Sequence, residues 1–122
     1  MPRLPLFASA ALAFCTLGAT GPSQAETSLS LPLPLGRDGS IQAMQYSCDD
    51  GTELSVQYVS AGSNNLALIP LKGETRIFVS VLSGSGARYV SGPSEWYSKD
   101  GEARLSDESS DASAVTCASA SE

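Results

Sequence analysis

The sequence predicts an all-β fold, a small antiparallel eight-stranded β-barrel closed by one disulfide. Three observations carry this reading. From Gln42 onward no stretch sustains helical periodicity, while short runs of alternating apolar residues recur between turn residues at roughly 8–12-residue spacing. The segment Arg76-Ile77-Phe78-Val79-Ser80-Val81-Leu82 is strongly β-prone, and Asp100-Gly101 is a type I′ hairpin signal. Once an N-terminal leader is set aside, two cysteines remain, Cys48 in the first run and Cys117 in the last. A bond between them would tie the two ends of the sheet together, which is what closure requires. In about 80 residues a closed barrel is favoured over a two-sheet sandwich.

Residues 1–25 read as a secretory signal peptide. Met1-Pro2-Arg3 supplies a positive charge, Leu4 to Ala19 an apolar run, and Ser23 and Ala25 the small residues that precede a cleavage site after Ala25. The run, broken by Pro5 and Gly18, falls short of the ~20 residues a spanning helix needs, so no membrane anchor is expected in the mature form. Leu12-Ala13-Phe14-Cys15 loosely resembles a lipobox, but Phe14 is too large for the position before the cysteine, and Cys15 lies inside the run. Removing 25 of the 122 residues leaves 97, takes the cysteine count from three to two and moves the formal charge from −6 to −7 with the loss of Arg3. In an oxidising compartment the remaining pair reads as one disulfide spanning about 70 residues, worth roughly 4 kcal/mol on the chain-entropy model.

Residues 26–41 form a Pro-rich extension. The alternation Leu31-Pro32-Leu33-Pro34-Leu35 favours an extended tether laid along the barrel by its leucines. The domain proper spans 42–118. Met44, Tyr46 and Cys48 alternate in the first strand, before the turn Asp49-Asp50-Gly51. Leu54, Val56 and Tyr58 mark the second strand, and Leu66, Leu68 and Leu71 the third, with Pro70 at an edge or bend. Lys72-Gly73 leads into the 76–82 strand, followed by Ser83-Gly84-Ser85-Gly86 and the strand Ala87-Arg88-Tyr89-Val90. Glu95-Trp96-Tyr97-Ser98 and Ala103-Arg104-Leu105 flank Asp100-Gly101, and Ala114-Val115-Thr116-Cys117 closes the series. Residues 119–122 are expected to fray.

Composition narrows the function. Thirteen acidic against seven basic residues argue against nucleic acid and anionic membranes as partners. The absence of histidine removes imidazole acid–base chemistry and Ser-His or Cys-His nucleophiles. There is no CxxC redox motif, P-loop, dinucleotide fingerprint or zinc spacing, so no cofactor and no metal is implied. Asp49-Asp50 diverge in a turn. Glu95 and Glu102 could approach across their hairpin but are read as solubilising a rim, and Asp107, Glu108 and Asp111 as a solvated acidic face. No pair of carboxylates makes a credible glycosidase dyad, and an enzyme is not expected.

The remaining candidates lie in two loops. Gly84 and Gly86 bracket Ser85 and allow its backbone to approach another surface, and Lys99 stands at the tip of the Trp96–Ala103 hairpin. Together they offer a hydroxyl and a cation. Tyr46-x-Cys48, Gly51, Ser85-Gly86-Ala87-Arg88-Tyr89, Trp96-x-x-Lys99, Gly101-Glu102-Ala103 and Cys117 resemble the MliC/PliC family of bacterial inhibitors of c-type lysozyme, over about residues 44–118. The resemblance implies an eight-stranded barrel. It also implies that Ser85 and Lys99 enter the lysozyme cleft and meet its catalytic carboxylates. Gly84, Gly86, Tyr89 and Asp100 are read as supporting the two loops. Asp100 departs from the family pattern, in which glycine directly follows the lysine. Cys48, Cys117, Arg88 and Trp96 are read as structural: the cysteines bonded, Arg88 paired with an acid or carbonyl, Trp96 in the core.

The family has a membrane-bound branch with a lipobox and a periplasmic branch with a cleavable signal. Phe14 before Cys15 places the chain with the periplasmic, PliC-like branch. The expected partner is thus a cationic c-type lysozyme, met in the periplasm by a monomer or homodimer. The competing reading is a non-inhibitory envelope β-barrel that binds another protein or a glycan.

Overall fold

The computed structural model describes residues 2–5, 11, 13, 18–19, 21–23 and 25–120. The described residues of the unit up to Leu31 carry no helix or strand. Cys15 and most of the apolar run on which the signal-peptide reading rests lie outside the described residues. No helix among the described residues is long and apolar enough to cross a membrane. Among the described residues, the second unit, from Pro32 onward, holds all the regular structure.

That unit is a closed antiparallel barrel in which every strand pairs with its sequence neighbours and β8 returns to β1. The strands are β1 Ser40–Cys48, β2 Glu53–Ala61, β3 Asn64–Leu71, β4 Glu74–Val81, β5 Ala87–Ser91, β6 Ser94–Lys99, β7 Glu102–Asp107 and β8 Val115–Ser119. The eight strands and their order agree with the alternation in the sequence. Two boundaries shift: β1 takes in Ser40 and Ile41 from the extension, and β8 runs to Ser119. There the Ser119 N–H donates to the Gly101 carbonyl and the Ala120 N–H to the Gln45 carbonyl, so the chain is still paired where fraying was expected.

Four connections are two-residue hairpin turns, three led by the Gly or Asp their type favours and the fourth by Lys72. Lys72-Gly73 and Asp100-Gly101 carry positive φ at both positions, as type I′ requires. Gly62-Ser63 and Gly92-Pro93 carry it only at the leading glycine, as in type II′. These turns match the right-handed twist of the strands and fix the register.

The barrel interior is filled by alternate residues. Trp96, Phe78, Ile69 and Val56 are fully buried, with Tyr46, Leu54, Ala67 and Ala103 around them. Trp96 meets Tyr46 edge-to-face at 5.1 Å, and its Nε1–H donates to Tyr58 Oη at 2.8 Å. The third strand differs from expectation: Ala67 and Ile69 face inward, while Leu66 and Leu68 face out and are half-buried. Ala67 lies opposite Tyr58 on one side and Phe78 on the other, where a leucine would compete for the same narrow interior. In β4, likewise, Phe78 is core while Ile77 and Val79 are exposed on the outer wall. Pro70 sits where β3 has already left β2, whose last pair with it is Gln57–Leu68, so its missing N–H interrupts no ladder there.

Cys48 and Cys117 face each other across the β1–β8 seam and are disulfide-bonded. The bond therefore locks the pairing that closes the barrel.

Candidate inhibitory site

Strand direction decides what meets at each end of the barrel. β4 ends and β5 begins at the same end at which β6 ends and β7 begins. The Leu82–Gly86 loop and the Asp100-Gly101 turn consequently rise side by side from one rim. There Lys99 Nζ donates to Ser85 Oγ at 3.4 Å, so the two residues singled out in the sequence meet although fourteen positions separate them. Both are exposed.

The Ser85 loop has a defined shape. Its carbonyl accepts two hydrogen bonds, from Ser83 Oγ at 2.6 Å and from Tyr97 Oη at 3.1 Å. Gly86 adopts φ +67°, and a Cβ there would lie 2.7 Å from the Ser98 carbonyl oxygen and 2.8 Å from Tyr97 Oη. The position admits only glycine, both for its backbone angle and for its close approach to β6. Gly84 has open space around it, so the loop shape does not require its lack of a side chain.

On the hairpin, Asp100 occupies the first central position of the turn at φ +51°, which Asp tolerates better than most residues. Lys99 is the last residue of β6, opposite Glu102. With Asp100-Gly101 as the two central residues, Lys99 stands at the shoulder of the tip rather than on it. Glu95 pairs in register with Ser106, at the other end of the hairpin from Glu102, so these two carboxylates do not come together. Arg88 Nε instead donates to Glu95 Oε2 at 2.8 Å across the β5–β6 pair.

Beneath the two loops the rim opens into a concavity of about 630 Å³, lined in part by Gln42, Tyr58, Asn65, Tyr89 and Lys99. Its floor is a tyrosine cluster. Tyr46 and Tyr58 hydroxyls lie 2.7 Å apart, and the Tyr89 ring packs at 5.7 Å from that of Tyr58. Burial, and then the bond to Tyr58, push the Tyr46 hydroxyl well above its ordinary range; burial, then Tyr58, raises that of Tyr89. The Tyr46 and Tyr89 phenols therefore stay neutral. Tyr89 packs against Tyr58, and Trp96 is core.

Two acidic residues away from this rim have structural partners. Asp50 accepts from the Thr52 N–H within its turn at 2.9 Å, and Asp107 accepts from Ser94 and Ser109 at the opposite end of the barrel. Among the described residues no group of three or more His, Cys, Asp or Glu could hold a metal ion.

Tyr97 is the residue that the sequence did not disclose. Strand alternation with core Trp96 puts it on the outer face, and nothing local reveals that its hydroxyl reaches a loop twelve residues back.

Residues 46–114 match the family described as membrane-bound lysozyme inhibitor of c-type lysozyme, MliC. A Pseudomonas aeruginosa protein named membrane-bound lysozyme inhibitor of C-type lysozyme is 37% identical over 76 residues, 62% of this chain and 60% of that protein. A Cupriavidus necator protein of the same name is 40% identical over 67 residues, 55% of this chain and 54% of that one. The chain thus spans somewhat more than half the length of these relatives. Among solved structures, Pseudomonas aeruginosa MliC in complex with hen egg white lysozyme superposes with a TM-score of 0.63 at 32% identity, over 80% of this chain and 99% of that one.

Proposed function

We propose, from the premise that the chain belongs to the MliC family of lysozyme inhibitors, that it is a non-enzymatic protein inhibitor of c-type lysozyme. It inserts the Ser85 loop and the Lys99 hairpin into the lysozyme cleft, as a member of the periplasmic branch released from its signal peptide after Ala25. The observation that carries the site is the Lys99 Nζ–Ser85 Oγ contact on one exposed rim.

Lysozyme-type cleavage needs one carboxylic acid protonated, to donate to the leaving oxygen, and a second one ionised. An ammonium placed between them favours both as carboxylates, so the acid loses the proton it must deliver. The Ser85 hydroxyl can both donate and accept, which suits it to a carboxylate beside that ammonium. The loop itself occupies the volume of a sugar ring. A desolvated, charge-assisted contact of this kind contributes about 1.5–3 kcal/mol. The acidic surface, −6 in formal charge over the whole chain, attracts a cationic enzyme and accelerates encounter, an effect that salt weakens.

The test is a c-type lysozyme inhibition curve with purified residues 26–122 at two salt concentrations. Inhibition at or below micromolar concentration, weaker at high salt, is expected. Unaltered lysozyme activity overturns the function, and full inhibition by the Ser85→Ala/Lys99→Ala double variant overturns the site.

A further inference from the structure

We propose that Tyr97 is a positioning residue: its hydroxyl, bonded to the Ser85 carbonyl, holds the β4–β5 loop in the shape that presents the Ser85 hydroxyl beside Lys99. The inference rests on the proposed function for its consequence but on geometry for its substance.

Two features of the loop converge on Tyr97, and a third braces the same Ser85 carbonyl. Tyr97 Oη donates to the Ser85 carbonyl oxygen at 3.1 Å. Gly86 passes so close to the Tyr97 ring that a Cβ would lie 2.9 Å from its Cζ. The Ser83 hydroxyl adds a second donor to the same carbonyl, tightening the turn from within. The Ser85 side chain and its carbonyl thus have separate tasks. The side chain faces Lys99, while the carbonyl is anchored to β6, the strand that ends in Lys99. Through Tyr97 the hydroxyl and the ammonium are referred to one rigid strand.

Without the anchor the loop is a solvent-exposed Ser-Gly-Ser-Gly segment with many conformers. A binding surface present only part of the time weakens the observed affinity by that fraction. One neutral hydrogen bond is worth about a factor of five in that population. The Tyr97 ring remains in the phenylalanine variant, so the hydroxyl can be removed alone.

The experiment compares wild type, Tyr97→Phe, Ser85→Ala and the double variant, in inhibition constant against hen egg white lysozyme and in thermal midpoint. Tyr97→Phe is expected to raise the inhibition constant about fivefold with an unchanged melting temperature, the loss lying mainly in the association rate. In the Ser85→Ala background the same change is expected to have a smaller effect, because the hydroxyl that Tyr97 positions is gone. Gly86→Ala, which pushes the loop off the Tyr97 ring, is expected to weaken inhibition at least as much. Equal inhibition by Tyr97→Phe and wild type overturns the proposal, as do effects of Tyr97→Phe and Ser85→Ala that simply multiply. If the wild type itself does not inhibit, the functional reading fails, and amide order parameters over residues 83–86 decide the anchor on their own. A fall in Tyr97→Phe upholds it and identical values overturn it.

Discussion

The two ends of the barrel each carry a cation close to a serine, and they use it in opposite ways. At the end away from the Ser85 loop, Arg76 is spent internally. Its guanidinium donates to Ser94 Oγ at 3.1 Å, to the Ser91 carbonyl at 2.8 Å and to Ser91 Oγ at 3.2 Å, and lies 5.6 Å from the Phe78 ring centroid. Ser94 passes the network on to Asp107 at 3.2 Å. At the other rim Lys99 makes one long bond to Ser85 and, among the described residues, no ion pair. A cation whose donors are already taken stabilises its own fold, and one whose donors point outward is available to something else. That difference in partners is what sets Arg76 apart from Lys99 and motivates the binding role proposed for the Lys99 rim.

The largest effect expected is on stability. Replacing both Cys48 and Cys117 by alanine removes a cross-link spanning 69 positions and is expected to lower stability by about 4 kcal/mol, read as a reduced urea midpoint. On the proposed function, inhibition per folded molecule should be retained, because the bond lies across the β1–β8 seam and not in the Ser85 loop or the Lys99 hairpin. A midpoint unchanged by the substitutions would show that the seam holds without it.

The binding end should give the reverse pattern. Lys99→Ala is expected to raise the inhibition constant by roughly 10- to 100-fold, the loss of one charge-assisted contact, while the urea midpoint moves by less than about 0.5 kcal/mol in stability. Arg76→Ala is expected to cost about 2 kcal/mol in stability, since it strips Ser94 and Asp107 of their charged partner, and to leave inhibition untouched. If the two variants exchanged phenotypes, the division of labour between the ends would be wrong.

How much of this was legible beforehand follows from which interactions are local. Asp100-Gly101 announces its turn because both residues must take positive φ, a property of the dipeptide itself. The strand order follows from regular spacing, and the Cys48–Cys117 seam from the placement of these cysteines in the first and last runs. Face assignment in β3 and β4 was harder. Leu66 through Leu71 and Ile77 through Val81 are almost continuously apolar, so alternation cannot say which set points inward. Only the neighbours across the barrel, Tyr58 and Phe78 against the small Ala67, decide it. Ser85 and Lys99 were identified through their motif, but their meeting at 3.4 Å is a product of topology. Tyr97 and the Arg76 network depend on side chains that reach across strands, and nothing in the local pattern encodes that reach.

Acid should act first on the structural end. The Ser109 hydroxyl and N–H hold the Asp107 carboxyl below the usual carboxylate range, helped by Ser94 and Arg76, and Thr52 does the same for Asp50 in the β1–β2 turn. A carboxylate with a depressed folded-state pKa binds its proton more weakly in the native protein than in the unfolded chain. Its stabilising contribution is therefore complete above the unfolded value, near pH 4, and is lost as pH falls through the folded value. Wild-type stability, followed by urea denaturation from pH 5 to pH 2.5, should accordingly decline below about pH 4. Asp107→Asn cannot titrate at this position, so its decline should be shallower, with Asp50 contributing to what remains. Identical slopes for the two proteins would remove Asp107 from the network and leave Arg76 with only its serine partners. In that case the contrast between the ends would rest on the number of donors engaged at each cation rather than on charge pairing.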